Sequence, residues 1–401
     1  MTDLLEASQS ADSTVRHSRR VLFLGTHGQA NIGDELLLDT FLTQMGRDHT
    51  YAVNSYDPAA TSAQLRDRFD VTVFDTASDR VGLVRHILRS DVVVFGGGNI
   101  LKELYRSVGR WTYSTLVMVL AVVLLARVAR KPVLMANIGI GPVSSRFGRL
   151  LVRMILASVW LVSVRDAGSL RFARSVGCPP DKVHLVPDAV WVRETDVLYM
   201  PARQENSPIR IAINLNKDVD VADEWDAFLD RLVVSLNQVA ATRPVEFHAL
   251  PMQCSFKIGT DLEVLRDVLR RVDAPVHFHA PADHDHVAAI IAECDLVVSE
   301  RLHAIVMSAI LGCPVIALPY DVKVRELAAQ LGIRERSFDV SADLDPAELT
   351  AAILHTLDNA ERERRRLLMV ATAKRRTSVA AFAAIRAWVA APTRTWESSA
   401  T

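Results

Sequence analysis

Cysteine, net charge and long apolar runs are all scarce in this chain of 401 residues, and each absence excludes a class of protein. The four cysteines show no C-x-x-C spacing, which indicates a reducing compartment and offers no zinc motif. Lys and Arg number 46 against 47 for Asp and Glu, so the chain lacks the basic excess of a dedicated nucleic-acid binder. We therefore expect no nucleic-acid partner.

Apolar runs long enough to cross a bilayer are also missing. Residues 1–20 have no apolar core, so we expect no export signal and interpret them as a flexible polar tail. The uninterrupted apolar run Leu116–Ala126 is shorter than the roughly 20 residues that a spanning helix needs. We interpret it as a helix packed on a sheet and expect a cytoplasmic protein. Peripheral contact with the inner face of the membrane, through this run or through the basic C-terminal helices, stays open.

What the sequence does contain is a regular alternation of strand-like and helix-like segments. Continuous apolar runs such as VLFLGT at Val21–Thr26 are typical of parallel strands that are covered on both faces. Strands that alternate with helices indicate βαβ units and doubly wound α/β sheets. Because the alternation occurs twice, we predict two Rossmann-like domains with parallel sheets, arranged as in GT-B folds.

The limits of these domains follow from where the alternation weakens. We predict an N-terminal domain over residues 21–195, a linker over 196–208 and a C-terminal domain over 209–340. Residues 341–401 are predicted to form helices that pack on the domains. Helical spacing of apolar side chains supports this last prediction, the side chains being Phe382, Ile385, Trp388 and Val389.

Three glycine-rich loops follow strands of the first half. GTHGQANIGDE, from Gly25 to Glu35, matches neither G-x-G-x-x-G nor a Walker A loop, which excludes a dinucleotide or P-loop site on spacing. Backbone N–H groups at a helix start favour an anion, although a tight turn with Asp34 as N-cap or first-turn acid is the alternative. DVVVFGGGNILKE is expected to pass from its glycines into a helix-like segment, and ANIGIGPV ends a third strand. The cleft residues predicted from these loops are Asn31, Gly33, Asp34, Gly96, Gly97, Gly98, Asn99 and Gly139.

Ionisable side chains stand where two other apolar strands end. Arg165 follows VWLVSV, and Arg301 and His303 follow DLVVS. An arginine fork binds carboxylate or phosphate, and a histidine can change protonation near neutral pH, as general acid–base catalysis requires. The structural alternatives are a salt bridge from Arg165 to Asp166 or a neighbour, and a buried histidine that hydrogen bonds to the backbone.

The segment VHFHAPADHDHVA concentrates four histidines. His277 and His279 are predicted to share one face of a strand, and His284 and His286 to lie in the following loop. The segment has no cysteine, and its only neighbouring carboxylates are two aspartates. We therefore interpret these histidines as structural or cleft-lining and expect no metal site.

In their order along the chain, six segments together resemble the polysaccharide pyruvyl transferase family over roughly Val21–Leu331. They are GTHGQANIGDE, VVVFGGGN, ANIGIGP, SVRD, VPDAV and SERLHAIVMSAILGCPVIALPYDVKV. The resemblance implies a GT-B-like transferase that moves the pyruvyl group of phosphoenolpyruvate onto sugar hydroxyls, usually as a ketal. The acceptor would be a glycan or a lipid-linked sugar, as a cell-surface polysaccharide or glycolipid precursor.

The resemblance also implies roles for individual residues. Arg165, Arg301 and Leu302 would bind phosphoenolpyruvate, His303 would be catalytic, and Glu300 would be a further cleft residue. No cofactor is expected, because arginines and helix N-termini supply the positive charge that the donor needs. Two alternatives stay open: a GT-B glycosyltransferase that uses a sugar nucleotide, and a catalytically silent scaffold of the same fold.

Overall fold

The computed structural model describes residues 18–104, 111–194, 207–216, 222–253 and 260–395. Within these ranges the chain forms two parallel β-sheets, each with hydrophobic clusters on both faces. The predicted fold class is therefore confirmed. The predicted tail lies almost wholly outside the described residues, as do most of the predicted linker and Cys254.

The first sheet has seven strands in the order β3-β2-β1-β4-β5-β6-β7. Its strands are β1 (Arg20–Leu24), β2 (Thr50–Ser55), β3 (Asp70–Asp75), β4 (Val92–Gly96), β5 (Val133–Ile138), β6 (Leu161–Val164) and β7 (Val183–Leu185). Its helices are α1 (Ile32–Met45), α2 (Pro58–Leu65), α3 (Arg80–Arg89), α4 (Ser114–Val128), α5 (Arg146–Ser158) and α6 (Ala167–Ser175). The strand order reverses between β1 and β4, where doubly wound sheets open a crevice at the carboxyl ends of the strands.

The second sheet has five strands in the order β10-β9-β8-β11-β12. Its strands are β8 (Ile209–Asn214), β9 (Val245–Ala249), β10 (Val276–Phe278), β11 (Leu296–Ser299) and β12 (Val315–Ala317). Its helices are α7 (Ala222–Thr242), α8 (Asp261–Leu269), α9 (His284–Ala292), α10 (Leu302–Leu311) and α11 (Val322–Gln330). The strand order of this sheet reverses between β8 and β11, where a second crevice is expected at the carboxyl ends of the strands. The segment from Glu300 to His303 directly follows β11 and therefore lies at this crevice.

Two helices complete the chain, α12 (Pro346–Asp358) and the long α13 (Ala360–Ala390). The apolar side chains that the sequence marked on α13 are all buried, which confirms that this helix packs on a core. The ring of Phe382 lies edge-on to Phe41 of α1, with the ring centroids 5.2 Å apart. One hydrophobic cluster contains residues of α1, α10 and α13, so the last helix links the two sheets through shared packing.

Side-chain caps begin the helices that border the cleft. Asn31 caps α1 by accepting the N–H of Gly33 at 3.0 Å. Asp166 caps α6, and Asp321 caps α11 by accepting the N–H groups of the first turn. Each cap satisfies backbone donors that a helix start leaves open, and therefore defines where the following side chains lie.

Two local predictions are wrong. The segment after Gly98 is not helical: Leu101 instead forms a bridge with Ile140, and the carboxylate of Glu103 accepts hydrogen bonds from Ser144 and Ser145. Pairing with the next loop therefore outweighs the local preference. His284 and His286 lie in the first turn of α9 and not in a loop, because Asp283 caps that helix earlier than expected.

Across the described residues, no helix is long and apolar enough to cross a membrane. The two sheets occupy residues 20–185 and 209–317, on either side of the predicted linker. The domain limits themselves stay predictions.

Candidate functional site

A small cleft opens where the carboxyl ends of the two sheets meet. Residues of both halves of the chain line it: Arg165, Asp166, Asp188, Trp191, Leu302, Val306, Lys323, Glu326, Leu327 and Gln330. Ligands of doubly wound folds bind in such crevices, at the point where the strand order reverses. This cleft is therefore the candidate site, and Arg165 and Leu302 are the predicted site residues that line it directly.

Arg165 is held in the cleft by Asp188. Its Nη1 atom donates a 2.8 Å hydrogen bond to Oδ2 of Asp188, and both side chains are less than one-tenth exposed. Nη2 reaches Oδ1 of Asn99 at 3.4 Å. Nε is buried and has no hydrogen-bond partner within the described part of the chain. Arg165 thus pairs with a neighbour in space and not with Asp166, which caps α6, and it keeps one donor for a ligand.

The imidazole of His303 lies on the same aspartate. His303 is the second residue of α10, and its Nε2 atom is 3.8 Å from Oδ2 of Asp188, which is ion-pair range but beyond a hydrogen bond. This nitrogen is buried and has no hydrogen-bond partner among the described residues. The alternative of a histidine satisfied by the backbone therefore does not hold for Nε2.

Gly33 leaves the room that His303 needs. A Cβ atom at position 33 would lie 2.3 Å from Nδ1 of the imidazole, closer than real contacts allow. Gly139 has the same relation to the arginine, since a Cβ atom there would lie 2.1 Å from Oδ1 of Asn99 and 3.4 Å from Nε of Arg165. Gly33 and Gly139 therefore allow these side chains to lie close to the backbone, because a glycine has no Cβ atom to collide with them.

Asp188 stays ionised at this position. Burial alone would raise its pKa, but the facing His303 and Arg165 and the N–H of Val190 outweigh burial, so the pKa falls below its ordinary value. VPDAV was visible in the sequence, although no role was predicted for Asp188. An acidic residue three positions after a short strand was the available signal, but strand β7 itself was not recognised.

Two acidic side chains of the first loop have pKa values above their ordinary values. Burial raises the pKa of Asp34, and the charges of His303 and Lys102 and a hydrogen bond from Thr26 only partly offset it. Burial also raises the pKa of Glu35 to about 7, although its carboxylate accepts the N–H of Gly28 at 2.7 Å. Asp34 is thus a first-turn acid of α1 that faces the histidine, and Asn31 is the N-cap.

Lys323 is a cleft cation that the sequence interpretation missed. Its Nζ atom donates to the carbonyl of Gly141 at 3.3 Å, which ties α11 to the third glycine loop. Burial, and then the charge of Arg165, lower the pKa of this ammonium to about 7. The signal was present: Lys323 lies in the first turn of a helix after strand β12, as His303 does after β11.

Arg301 lies at the N-cap of α10 and is held by Asp261. Its Nη2 donates to Oδ1 of Asp261 at 2.6 Å and its Nε to Oδ2 at 3.2 Å. Nη2 also lies 3.5 Å from Oε1 of Gln253, a residue that bridges to Asn31 of the first loop. The guanidinium is therefore fixed at the boundary between the two halves. Its contact with a donor substrate stays a prediction.

The remaining predicted cleft residues are Glu300 and the glycines of the second loop, and none of them lines the cleft directly. Glu300 is fully buried, accepts the N–H of Asn216 at 2.9 Å, and has a pKa raised well above its ordinary value by that burial. Gly97 and Gly98 have φ angles of 64° and 70°, a conformation that favours glycine. Gly96 ends strand β4, and the carbonyl of Gly98 accepts the N–H of Gly139 at 2.8 Å.

One cluster of potential metal ligands lies on the outer strands of the second sheet. Glu246, His248 and His277 each offer one atom within 4.8 Å of the others. Arg210 already donates to Oε1 of Glu246 at 2.8 Å, and His279 bonds to Nδ1 of His248 at 2.9 Å. Internal hydrogen bonds thus account for these side chains, and the expectation of no metal stays a prediction.

Both the sequence and the fold resemble those of known proteins. A family model described as polysaccharide pyruvyl transferase matches residues 31–322. A curated relative, the amylovoran biosynthesis protein AmsJ of Erwinia amylovora, is 22% identical over 293 residues. That match spans 68% of this chain and 66% of AmsJ, so just under two thirds of the relative is covered.

Solved structures agree with the two-sheet architecture. Anabaena HepE in complex with UDP-glucose has a TM-score of 0.62 and 15% identity, covering 92% of this chain and 98% of its own. A glycosyltransferase from Rickettsia africae has a TM-score of 0.61 and 10% identity, covering 94% and 100%. UDP-GlcNAc 2-epimerase from Neisseria meningitidis, bound to UDP-GlcNAc, has a TM-score of 0.55 and 12% identity, covering 89% and 99%. These similarities establish a GT-B-like fold.

Proposed function

The chain belongs to the polysaccharide pyruvyl transferase family, and from that premise we propose that it transfers the pyruvyl group of phosphoenolpyruvate to sugar hydroxyls. The acceptor would be a cell-surface polysaccharide or a glycolipid precursor, and the product a cyclic ketal. The observation that carries the proposal is the pairing of Arg165 and His303 on the single carboxylate of Asp188, next to a cleft that Arg165 and Asp188 line together with residues of the second half of the chain.

The cleft suits a small, highly charged anion. Arg165 keeps a buried Nε donor that has no partner among the described residues, and Lys323 brings a second cation to the same cleft. The buried Asp188 already carries one negative charge, and bound phosphoenolpyruvate would add more negative charge beside it. Arginine and lysine would therefore neutralise the phosphate and carboxylate of the donor, with Arg301 as the further arginine that the family resemblance assigns.

The proposed chemistry needs a proton at one carbon of the donor. Protonation of the methylene carbon leaves an oxocarbenium-like centre at C2, which one sugar hydroxyl attacks as it loses its proton. A second hydroxyl then forms the other C–O bond, loses its proton and displaces phosphate. His303 is the proposed acid and base, because its Nε2 atom has no hydrogen-bond partner among the described residues and lies 3.8 Å from the buried carboxylate of Asp188.

Asp34 is a second candidate for proton transfer. Burial raises its pKa and it faces His303, so the two groups would carry different protons in one cycle. Protein cations supply the charge stabilisation in this scheme, and it calls for no metal or cofactor.

A sugar-nucleotide glycosyltransferase is the alternative, and the solved structures that contain UDP-glucose or UDP-GlcNAc favour it. These relatives share the fold at 15% identity or less, which does not carry their ligands to this chain. A third alternative is a silent scaffold, which would bind neither donor.

Thermal unfolding with phosphoenolpyruvate or UDP-glucose separates these functions. Phosphoenolpyruvate is expected to raise Tm, since a ligand at 100 times its Kd stabilises by about 2.7 kcal/mol. Arg165→Lys should reduce this rise and Arg165→Ala abolish it. Arg174→Ala, at an exposed position of α6, is the matched control and should retain it. A rise with UDP-glucose and none with phosphoenolpyruvate would contradict the proposal.

A further inference from the structure

Helix α4 is apolar on every side, yet one of its faces is open to solvent. No charged residue occurs between Ser114 and Ala126, and the face toward the first sheet is buried. On the opposite face Met118 is 44% exposed and Val128 is 81% exposed, and Val117 and Leu124 are also exposed. A helix that is hydrophobic all round is normally buried or in contact with lipid. We therefore expect a binding partner to cover the outer face of α4.

The two neighbouring helices extend this face. Helices α3, α4 and α5 pack on the same side of the first sheet and share one hydrophobic cluster, whose members run from Leu22 to Val183. The cluster contains no residue of the second sheet or of α13, so its outer surface faces away from them. We name the exposed apolar side chains of these helices, together with Trp111 just before α4, the apolar outer face: Val81, Val84, Leu88, Trp111, Val117, Met118, Leu124, Val128, Phe147, Leu150 and Met154.

Positive charge surrounds the apolar outer face. The sequence has no Asp or Glu between Glu103 and Asp166, and none within α3, although the whole chain is close to neutral. Exposed arginines flank the apolar side chains on all three helices, and we name them the basic rim: Arg80, Arg85, Arg89, Arg127, Arg130, Arg146 and Arg153. Cationic and apolar side chains on one surface are the combination that binds anionic lipid.

We infer that the apolar outer face and its basic rim dock the protein on an anionic lipid bilayer, with α4 lying in the plane of the interface. A second copy of the chain fits the surface less well, because a twofold contact would bring the two basic rims together. A bilayer with acidic headgroups accepts the apolar side chains and neutralises the arginines at the same time.

Aromatic side chains indicate how the protein would be oriented. Trp111 contacts Tyr113, and Tyr113 contacts Phe147, with ring centroids 5.4 and 4.9 Å apart. They lie at the N-terminal ends of α4 and α5, and hence at the edge of the sheet where the strands end and the cleft opens. Trp and Tyr favour the headgroup level of a bilayer. Docking would therefore place the mouth of the cleft alongside the membrane, close to the headgroup level. Access to a lipid-linked acceptor is a consequence that rests on the proposed function, whereas lipid binding does not.

Co-sedimentation of the full chain with vesicles tests the inference without any substrate. Vesicles of phosphatidylcholine alone are compared with vesicles that contain about 30% phosphatidylglycerol, at about 0.1 M and 1 M NaCl. Binding is expected only to the anionic vesicles, and should weaken at the higher salt concentration.

Three double variants identify the surface. Met118→Glu with Leu150→Glu removes part of the apolar outer face, and Arg146→Glu with Arg153→Glu reverses part of the basic rim. Each is expected to weaken partitioning at least about 10-fold, since each basic residue near such a surface contributes about one kilocalorie per mole. Arg362→Glu with Met369→Glu makes the same types of change on α13 and should retain binding. All six positions are exposed, so the fold is expected to persist, and Tm checks this.

Each contrary outcome overturns the inference. It fails if the wild type binds no vesicle, or binds both vesicle types equally. It also fails if the α13 variant alone loses binding, since that result assigns docking to the C-terminal helix. A wild-type dimer that Met118→Glu with Leu150→Glu dissociates would show that a second copy occupies the face. Because no donor or acceptor is present, none of these results depends on the transferase chemistry.

Discussion

The Nε2 atom of His303 lies 3.8 Å from the Oδ2 atom of Asp188, the same oxygen that accepts a 2.8 Å hydrogen bond from Arg165. One buried carboxylate thus positions an arginine from the first sheet and a histidine from the second. Its lowered pKa keeps it charged, so it can hold both side chains beside the cleft. A bound anion would meet a preorganised pair and would not need to assemble it.

Replacement of His303 should separate chemistry from binding. His303→Ala is expected to lower kcat by about 10²–10⁴-fold, the usual contribution of a positioned acid or base. The thermal shift with phosphoenolpyruvate should persist, because Arg165 and Lys323 remain. Phosphate release in the presence of acceptor measures the effect. His355→Ala, an exposed histidine on α12, is the control and should keep full activity. Full activity in His303→Ala would refute the assigned role.

Gly33→Ala tests the close contact with the imidazole. The added Cβ atom would lie 2.3 Å from Nδ1 of His303, so the ring must move, and we expect kcat to fall by roughly 10–100-fold through misplacement. The Tm should change little, since alanine is the better helix former. Gly168→Ala is the matched control: it is also the second residue of its helix, but its nearest contact would be 3.3 Å. Equal losses in both variants would show a general loop effect.

Lys323→Met should have opposite effects on stability and on binding. The folded pKa of about 7 lies below the ordinary value of 10.5, so below pH 7 the native state holds a buried charge that the unfolded chain carries at no cost. This cost is fully present at pH 6 and is relieved as the pH rises from about 7 toward 10.5. The variant should therefore raise Tm most at pH 6, by the equivalent of at least about 1 kcal/mol.

The same substitution should weaken the binding of phosphoenolpyruvate. In the wild type the affinity should fall as the pH rises through 7 and Lys323 loses its charge, and in Lys323→Met this part of the pH dependence should vanish. Titrations by calorimetry at pH 6 and pH 8.5 measure both effects. Unchanged affinity in the variant at pH 6 would exclude Lys323 from the donor site.

Most of the fold could be predicted from the sequence, because its signals are local. Within the part of the chain that the structure describes, apolar runs mark eleven of the twelve strands, and the helical spacing on α13 matches its buried side chains. Strand β7, which has three residues and one buried side chain, was not predicted. The helical segment expected after Gly98 does not form, because Glu103 and Leu101 pair with residues about 40 positions away.

The site was predicted only in part, since strand ends can be read from sequence but pairings cannot. The sequence determined that Arg165, Arg301 and His303 follow strands, and hence that they lie at the carboxyl edge of a parallel sheet. Only the tertiary structure decided that Asp188 joins Arg165 to His303, that Asp261 holds Arg301, and that Lys323 enters the same cleft. The reason is physical: strand and helix signals come from neighbours a few residues apart. Ion pairs and burial depend on side chains that only the packing of two sheets brings together.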